Sequence, residues 1–110
     1  MGKLTTHVLD TANGKPGAGM KIELSKLEGR GWTRVKSVTT NKDGRTDQPL
    51  LEGGELRAGT YRLLFFVGEY FKDKIFLDEV PVRFNVVDAA ANYHVPLLCS
   101  PWSYTTYRGS

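Results

Sequence analysis

The sequence predicts an all-β protein, folded as a single antiparallel β-sandwich. About seven or eight short stretches are rich in β-branched residues or alternate between apolar and polar residues, as strands with one buried face do. Turn-forming pairs such as Asn-Gly, Pro-Gly and Asp-Gly separate these stretches. No stretch has the longer period of an amphipathic helix, which disfavours an architecture of alternating strands and helices.

The predicted strands can be taken in chain order. The most apolar is 59–67, which we expect at the centre of a sheet, and residues 69–73 have room for only one or two helical turns. A short apolar patch within 48–55 is interrupted by two glycines. The remaining strands before the C-terminal region are predicted at 4–10, 20–25, 32–40 and 80–87.

The last 18 or so residues contain an unusual concentration of functional groups for a chain terminus. A strand-like run begins at Tyr93, turns at Ser100-Pro101 and returns as a second run that ends at Ser110. Because a terminus paired into a sheet is fixed, we expect an imidazole, a guanidinium, a hydroxyl and a carboxylate to be held there.

Composition disfavours several classes of function. The 110 residues fit one domain, 1–110. The net charge is only +3 and the basic residues are scattered, so we expect no nucleic-acid partner. No apolar run approaches the roughly 20 residues of a membrane helix, and no signal peptide is recognisable. A single cysteine, Cys99, allows no internal disulfide. We therefore expect a cytoplasmic protein, with a periplasmic or peroxisomal location left open.

The only two histidines, His7 and His94, both lie inside predicted strands. Strand alternation places His94 opposite the apolar face that carries Tyr93 and Val95, so its ring should point away from the core. The orientation of His7 is ambiguous because its neighbours on both faces are mixed. Taken singly, each histidine is more often an ordinary surface residue than a catalytic one.

The other candidate groups are also unremarkable when taken singly. Arg45 follows an Asp-Gly turn, and Arg108 lies near the chain end. The acidic residues have no calcium-loop spacing, the two histidines make a weak zinc site, and no serine has the setting of a nucleophile elbow. Composition and spacing alone therefore indicate a soluble antiparallel β-domain with two histidines and several arginines available.

Several segments match one family pattern when taken together: 4–11 with 14–17, 40–45, 76–84, 93–98 and 107–110. These segments resemble the transthyretin-like 5-hydroxyisourate hydrolases, also called the transthyretin-related protein family. The terminal Tyr-Arg-Gly-Ser is the most specific of them, because the hormone-carrying transthyretins lack it. The resemblance covers the whole chain.

The resemblance implies a sandwich of two four-stranded sheets with a short helix, assembled as a homotetramer with active sites at the dimer–dimer interface. It implies that water opens the cyclic amide of 5-hydroxyisourate, giving 2-oxo-4-hydroxy-4-carboxy-5-ureidoimidazoline in urate degradation. No cofactor or metal is expected. The matching catalytic residues are His7, Arg45 and His94, and the matching substrate-binding residues are Tyr107, Arg108, Gly109 and Ser110.

These residues suit that chemistry. An imidazole can take the proton of the attacking water, and a guanidinium can stabilise the negative charge that develops on the carbonyl oxygen. We expect His7 and His94 to position and deprotonate the water, while Arg45 keeps one imidazole neutral and polarises the substrate. Arg108 should grip the polar edge of the ring, and Ser110 should orient its neighbours. Which histidine is the base is left open.

An alternative interpretation is a transthyretin-like carrier of a small ligand that performs no turnover. The two histidines and the polar terminus argue against it, because an apolar hormone channel does not need them. The sequence departs from the family pattern at Asp78, Cys99 and Trp102, and none of these positions removes a catalytic group.

Overall fold

The computed structural model describes residues 2–110, so residue 1 of the predicted domain lies outside the described residues. Nine strands, a single 3-10 turn and a short helix α1 follow one another along this part of the chain. Their bounds are β1 Lys3–Asp10, β2 Lys15–Pro16, β3 Lys21–Glu28, β4 Gly31–Thr39, β5 Leu51–Glu52, the 3-10 turn Gly53–Glu55, β6 Gly59–Phe66, α1 Val67–Phe71, β7 Glu79–Val86, β8 Tyr93–Cys99 and β9 Tyr104–Thr106.

The predicted two-sheet β-sandwich is confirmed. One sheet has the order β4-β3-β6-β7, with the apolar strand β6 inside it as expected. The other has the order β2-β1-β8-β9, and it counts five strands because the two-residue strand β5 also pairs with β1. Within residues 2–110, the pair β1 and β8 is parallel, whereas every other pair of named strands is antiparallel.

The core lies between the two sheets. Side chains with 0% exposure alternate along the strands, including Leu4 and Val8 on β1, Leu63 and Phe65 on β6, and Leu97 on β8. Each such side chain contributes roughly 1.5–3 kcal/mol by leaving water. Because successive strand side chains point to opposite faces, this burial turns the intervening residues of β1 and β8 outward.

A buried carboxylate ties helix α1 to the end of β1. Asp10 is 1% exposed. It accepts hydrogen bonds from the backbone N and the Nδ2 of Asn13, both at 2.9 Å, and from the Tyr70 hydroxyl at 2.7 Å. Burial raises the pKa of Asp10, but these hydrogen bonds outweigh burial and hold the pKa below its ordinary value. Burial and the bond to Asp10 also raise the pKa of Tyr70 to about 12.

None of the helices within residues 2–110 has the length and apolar character needed to cross a membrane.

Removing the Tyr70 hydroxyl tests this tie. We expect Tyr70→Phe to lower the free energy of unfolding at neutral pH by about 1.5–3 kcal/mol, the usual contribution of a hydrogen bond to a charged group. The depressed pKa means that Asp10 stabilises the fold above the ordinary carboxyl pKa, and that this contribution is lost as pH falls through the folded value. The loss should be complete at a higher pH in the variant, because the pKa of Asp10 in its folded state is depressed less.

Urea unfolding from neutral to acidic pH measures both effects. Thr39→Val is the control, because it also removes a hydroxyl, at an exposed position. Equal stability of the two variants at neutral pH would contradict the assigned role of the Tyr70–Asp10 bond.

Candidate active site

The parallel pairing of β1 with β8 brings the two histidines to one face. Thr5 lies opposite His94 in the register, and His7 lies opposite Pro96. Successive outward residues on one strand are about 7 Å apart, so His7 and His94 are neighbours on the outer face of the same sheet. Both are half-buried. The predicted outward orientation of His94 is confirmed, and the ambiguous His7 points to the same side.

The ring of His94 is held from two directions. Its Nδ1 lies 2.8 Å from the hydroxyl Oγ1 of Thr5. On the other side, the Gly109 amide donates to the His94 carbonyl oxygen at 2.7 Å, and a Cβ at Gly109 would come within 2.5 Å of the ring carbon Cδ2. Glycine is therefore needed at position 109 for the terminal segment to lie this close to the His94 ring. Because Nδ1 is engaged, Nε2 is the ring nitrogen left for a substrate.

The tautomer of His7 follows from its partner. The Nε2 of His7 lies 3.0 Å from the backbone carbonyl oxygen of Asp43. A carbonyl oxygen can only accept a hydrogen bond, so Nε2 must carry the proton. A neutral His7 therefore has its lone pair on Nδ1, and this nitrogen can accept a proton.

The turn that presents Asp43 and Arg45 is built by one asparagine. Asn41 Oδ1 accepts from the amides of Asp43 at 2.9 Å and Arg45 at 3.2 Å. Gly44 has φ +76°, and its carbonyl accepts from the Val8 amide at 2.8 Å, which docks the turn against β1. A Cβ at Gly44 would lie 2.3 Å from the Val8 carbonyl oxygen, so only glycine fits there.

The charges around His94 favour its neutral form. Burial lowers the pKa of His94 first, and the positive charge of Arg45, with that of His7 whenever its ring is protonated, lowers it further. The exposed Arg45 is therefore close enough to His94 to influence it electrostatically. A neutral imidazole at pH 7 can accept or donate a proton, whereas an imidazolium can only donate.

The C-terminal segment follows β8 in a continuous antiparallel register, from Thr106 opposite Leu97 to Gly109 opposite His94. That register places Arg108 beside Val95, on the inner face. Its guanidinium donates to the Asn92 carbonyl at 3.0 Å and lies 4.3 Å from the centre of the Tyr93 ring.

The position of Arg108 bears on its expected role. In the single chain, its guanidinium lies on the Tyr93 side of β8, and direct substrate binding by Arg108 stays a prediction. Tyr107 is 56% exposed and Ser110 is exposed as well. Gly109 is the member of the terminal motif that directly contacts His94.

Two cavities border this region without enclosing the histidines. One of about 150 Å³ is lined by Thr5, Arg45 and neighbouring residues, and a larger one of about 380 Å³ lies between the sheet edges, where Tyr107 and Arg108 are among its lining residues. The linings of these two cavities include neither histidine. The catalytic candidates thus form an open polar face on the single chain. Within residues 2–110 no group of three potential metal ligands comes together.

Sequence reasoning missed Thr5 and Asn41 as site residues. The position of Thr5 becomes informative only once the parallel register is known, because the sequence does not indicate which strand β1 pairs with. The role of Asn41 could have been predicted locally, since the side chain of an Asn that opens a turn commonly accepts a hydrogen bond from the backbone amide two residues later.

Comparison with known proteins gives a consistent result. Residues 4–109 match the model of the HIUase/Transthyretin family. The chain is 56% identical over 117 residues to a protein of Ralstonia nicotianae named 5-hydroxyisourate hydrolase, with 100% of both chains covered.

Solved structures agree with this match. An (S)-allantoin synthase is 46% identical with a TM-score of 0.93; the match covers 99% of this chain and 44% of that one. The 5-hydroxyisourate hydrolase of Klebsiella pneumoniae is 31% identical with a TM-score of 0.83, with 100% of both chains covered. Transthyretin of sea bream, solved in complex with thyroxine, is 27% identical with a TM-score of 0.89, over 97% of this chain and 94% of that one.

The electrostatic link between Arg45 and His94 can be tested by titration. We expect the pKa of His94, followed by NMR of its ring protons, to lie below the ordinary imidazole value and to rise in Arg45→Gln, because a nearby positive charge is removed. Arg34→Gln is the matched control, since Arg34 pairs with Glu23 on the other sheet. An unchanged pKa of His94 in Arg45→Gln would show that the two groups are not coupled.

Proposed function

This chain belongs to the HIUase/Transthyretin family, and we propose that its His7, His94 and Arg45 together hydrolyse the cyclic amide of 5-hydroxyisourate. The chain hydrolyses 5-hydroxyisourate, the substrate in the names of two relatives that are 55% and 56% identical to it over 97% and 100% of its length. The observation that carries the residue assignment is the shared outer face: two half-buried imidazoles on paired strands, with Arg45 close enough to influence one of them.

His7 is the proposed general base. Its Nε2–H is committed to the Asp43 carbonyl, which leaves the lone pair of Nδ1 for a water proton. As the water oxygen bonds to the amide carbonyl carbon, its proton passes to Nδ1 and the carbonyl oxygen becomes negative. The oxyanion then re-forms the C=O bond as the carbon–nitrogen bond breaks, the leaving nitrogen takes the proton from Nδ1 of His7, and a carboxyl group remains on the opened ring.

Arg45 and His94 assist around that carbonyl. The guanidinium of Arg45 stabilises the developing negative charge, an effect commonly about 10²–10³-fold in rate for one such donor. Arg45 also favours the neutral form of His94, so that His94 presents Nε2 to the substrate without a net charge. A neutral imidazole can exchange a proton in either direction during one turnover.

The terminal motif forms the remaining side of the proposed site. Gly109 allows the segment to lie flat on His94, and Tyr107 and Ser110 flank it as the substrate-binding side of the site. Arg108 is proposed to act mainly as an anchor, since its guanidinium is held by the Asn92 carbonyl and the Tyr93 ring.

We also propose that four copies assemble and cover the histidine face. Strand β9 ends one sheet and β7 ends the other, so both have a free edge. Large apolar side chains are exposed near these edges: Val87 at 82%, Trp102 at 59% and Tyr104 at 44%. Their contact between copies would exclude water from the open polar face and strengthen its electrostatics. A homotetramer with sites at the dimer–dimer interface would both bury these apolar side chains and exclude water from the histidine face.

The carrier interpretation is the weaker one. Sea bream transthyretin shares the fold, which shows that the sandwich is compatible with hormone binding. The outer face of β1 and β8 here instead carries two imidazoles beside a guanidinium, which a carrier of an apolar ligand has no use for.

A coupled assay tests the proposed function. Urate oxidase generates 5-hydroxyisourate from urate, and the decay of its ultraviolet absorbance is followed with and without the protein. We expect His7→Gln to lose about 10²–10⁴-fold in kcat, as expected for a general base, and Arg45→Gln about 10²–10³-fold. His94→Gln should also lose most turnover. Arg34→Gln should keep the wild-type rate.

Sedimentation of each variant checks that the four-chain assembly is unchanged. Decay no faster than the spontaneous rate with the wild-type tetramer would overturn the hydrolase assignment. Full activity of His7→Gln in the same assembly would remove His7 from the mechanism.

The close approach of Gly109 gives an independent test of the terminal motif. We expect Gly109→Ala to lower kcat by at least about tenfold, because the added methyl would displace the His94 ring from its position. Gly31→Ala is the matched control, since nothing lies within 4 Å of a Cβ at Gly31. A Gly109→Ala variant as active as Gly31→Ala would contradict the proposed role of this contact.

A further inference from the structure

We propose that Thr5 is a positioning residue for the hydrolysis, whose hydroxyl donates to Nδ1 of His94 and thereby keeps the His94 proton on Nε2. His94 then meets the substrate as a neutral hydrogen-bond donor, while His7 acts as the proton acceptor. This inference rests on the proposed function and deepens it, because it gives the two histidines opposite roles.

The register makes this contact an intrinsic part of the sheet. Thr5 and His94 are direct partners across the parallel β1–β8 pair, and both side chains point outward. Their side chains meet at 2.8 Å, a normal length for a hydrogen bond to a hydroxyl. A β-branched threonine has restricted χ1 freedom in a strand, so its hydroxyl is already oriented when the substrate arrives.

The direction of the bond follows from counting donors and acceptors. A threonine hydroxyl has one hydrogen to donate, and within residues 2–110 its Oγ1 has His94 Nδ1 as its only partner. If the hydroxyl donates to Nδ1, both atoms are satisfied by one bond. If it instead accepted from Nδ1–H, its own hydrogen would lack an acceptor among these residues. The donating arrangement places the His94 proton on Nε2.

His7 has the same tautomer, but there the protonated nitrogen is engaged and the unprotonated one is left free. There, the Asp43 carbonyl forces the proton onto Nε2, and the lone pair remains on Nδ1. The face therefore offers one acceptor and one donor, which is what addition of water to an amide requires. Nδ1 of His7 takes the proton from the water oxygen as that oxygen bonds to carbon. Nε2–H of His94 donates to the carbonyl oxygen as the electron pair of the C=O bond moves onto it.

The direct test reads the tautomer. Long-range proton–nitrogen NMR of the assembled wild-type protein, with 15N-labelled histidine, should show His94 protonated at Nε2 and unprotonated at Nδ1 near neutral pH. In Thr5→Val, which keeps the shape but removes the hydroxyl, we expect a mixture of the two tautomers. Thr5→Ser should restore the wild-type pattern. Thr39→Val, on exposed β4, is the control and should leave His94 unchanged.

The kinetic test separates positioning from binding. We expect Thr5→Val to lower kcat by about 5–10-fold with an unchanged KM, in line with the loss of one hydrogen bond, and Thr5→Ser to recover most of it. Two results would overturn the proposal: a His94 proton on Nδ1 in the wild type, or a Thr5→Val variant with wild-type kcat. Because the tautomer is measured without substrate, it tests Thr5 even if the hydrolase assignment itself fails.

Discussion

The parallel pairing of β1 with β8 determines where every group of the candidate site lies. It joins the first strand of the described chain to the last long one, and its register sets Thr5 beside His94. A shift of one residue would turn one histidine into the core, because strand side chains alternate between faces. The fully buried Leu4, Val8 and Leu97 make such a shift costly. Packing on the inner face of the sheet thus fixes the positions of the histidines on its outer face.

Backbone groups also determine the tautomer of His7 and the orientation of the His94 ring. A carbonyl at the Asn41–Arg45 turn fixes the tautomer of His7, and the fit of Gly109 fixes the ring plane of His94. Both devices use glycine where a side chain would clash, at Gly44 and Gly109. The candidate side chains are therefore oriented by main chain on strands and a tight turn. Because these side chains are already held in place, substrate binding costs little of their conformational entropy.

Much of the fold could be predicted from the sequence, whereas the site could be predicted only in part. Alternation along β8 predicted the outward His94 correctly, because that strand has one strongly apolar face. The same rule left the orientation of His7 ambiguous. Alternation also could not predict that β1 pairs with β8, because almost the whole chain separates these two strands. The contact between Asp10 and Tyr70 was missed for a similar reason, since 60 residues separate them. The inner-face position of Arg108 likewise depends on a register that only the folded terminus defines.

The placement of the site on the outer face explains how one sandwich can support different functions. Outward residues on β1 and β8 can change without disturbing the core, so a transthyretin can share this fold at 27% identity. The same placement leaves the histidines open to water on a single chain, where charges are screened and a neutral imidazole gains little from its neighbours. In the proposed mechanism, exclusion of water would strengthen the action of Arg45 and His94 on the substrate carbonyl. The proposed assembly of several chains over this face would therefore serve the chemistry as well as the architecture.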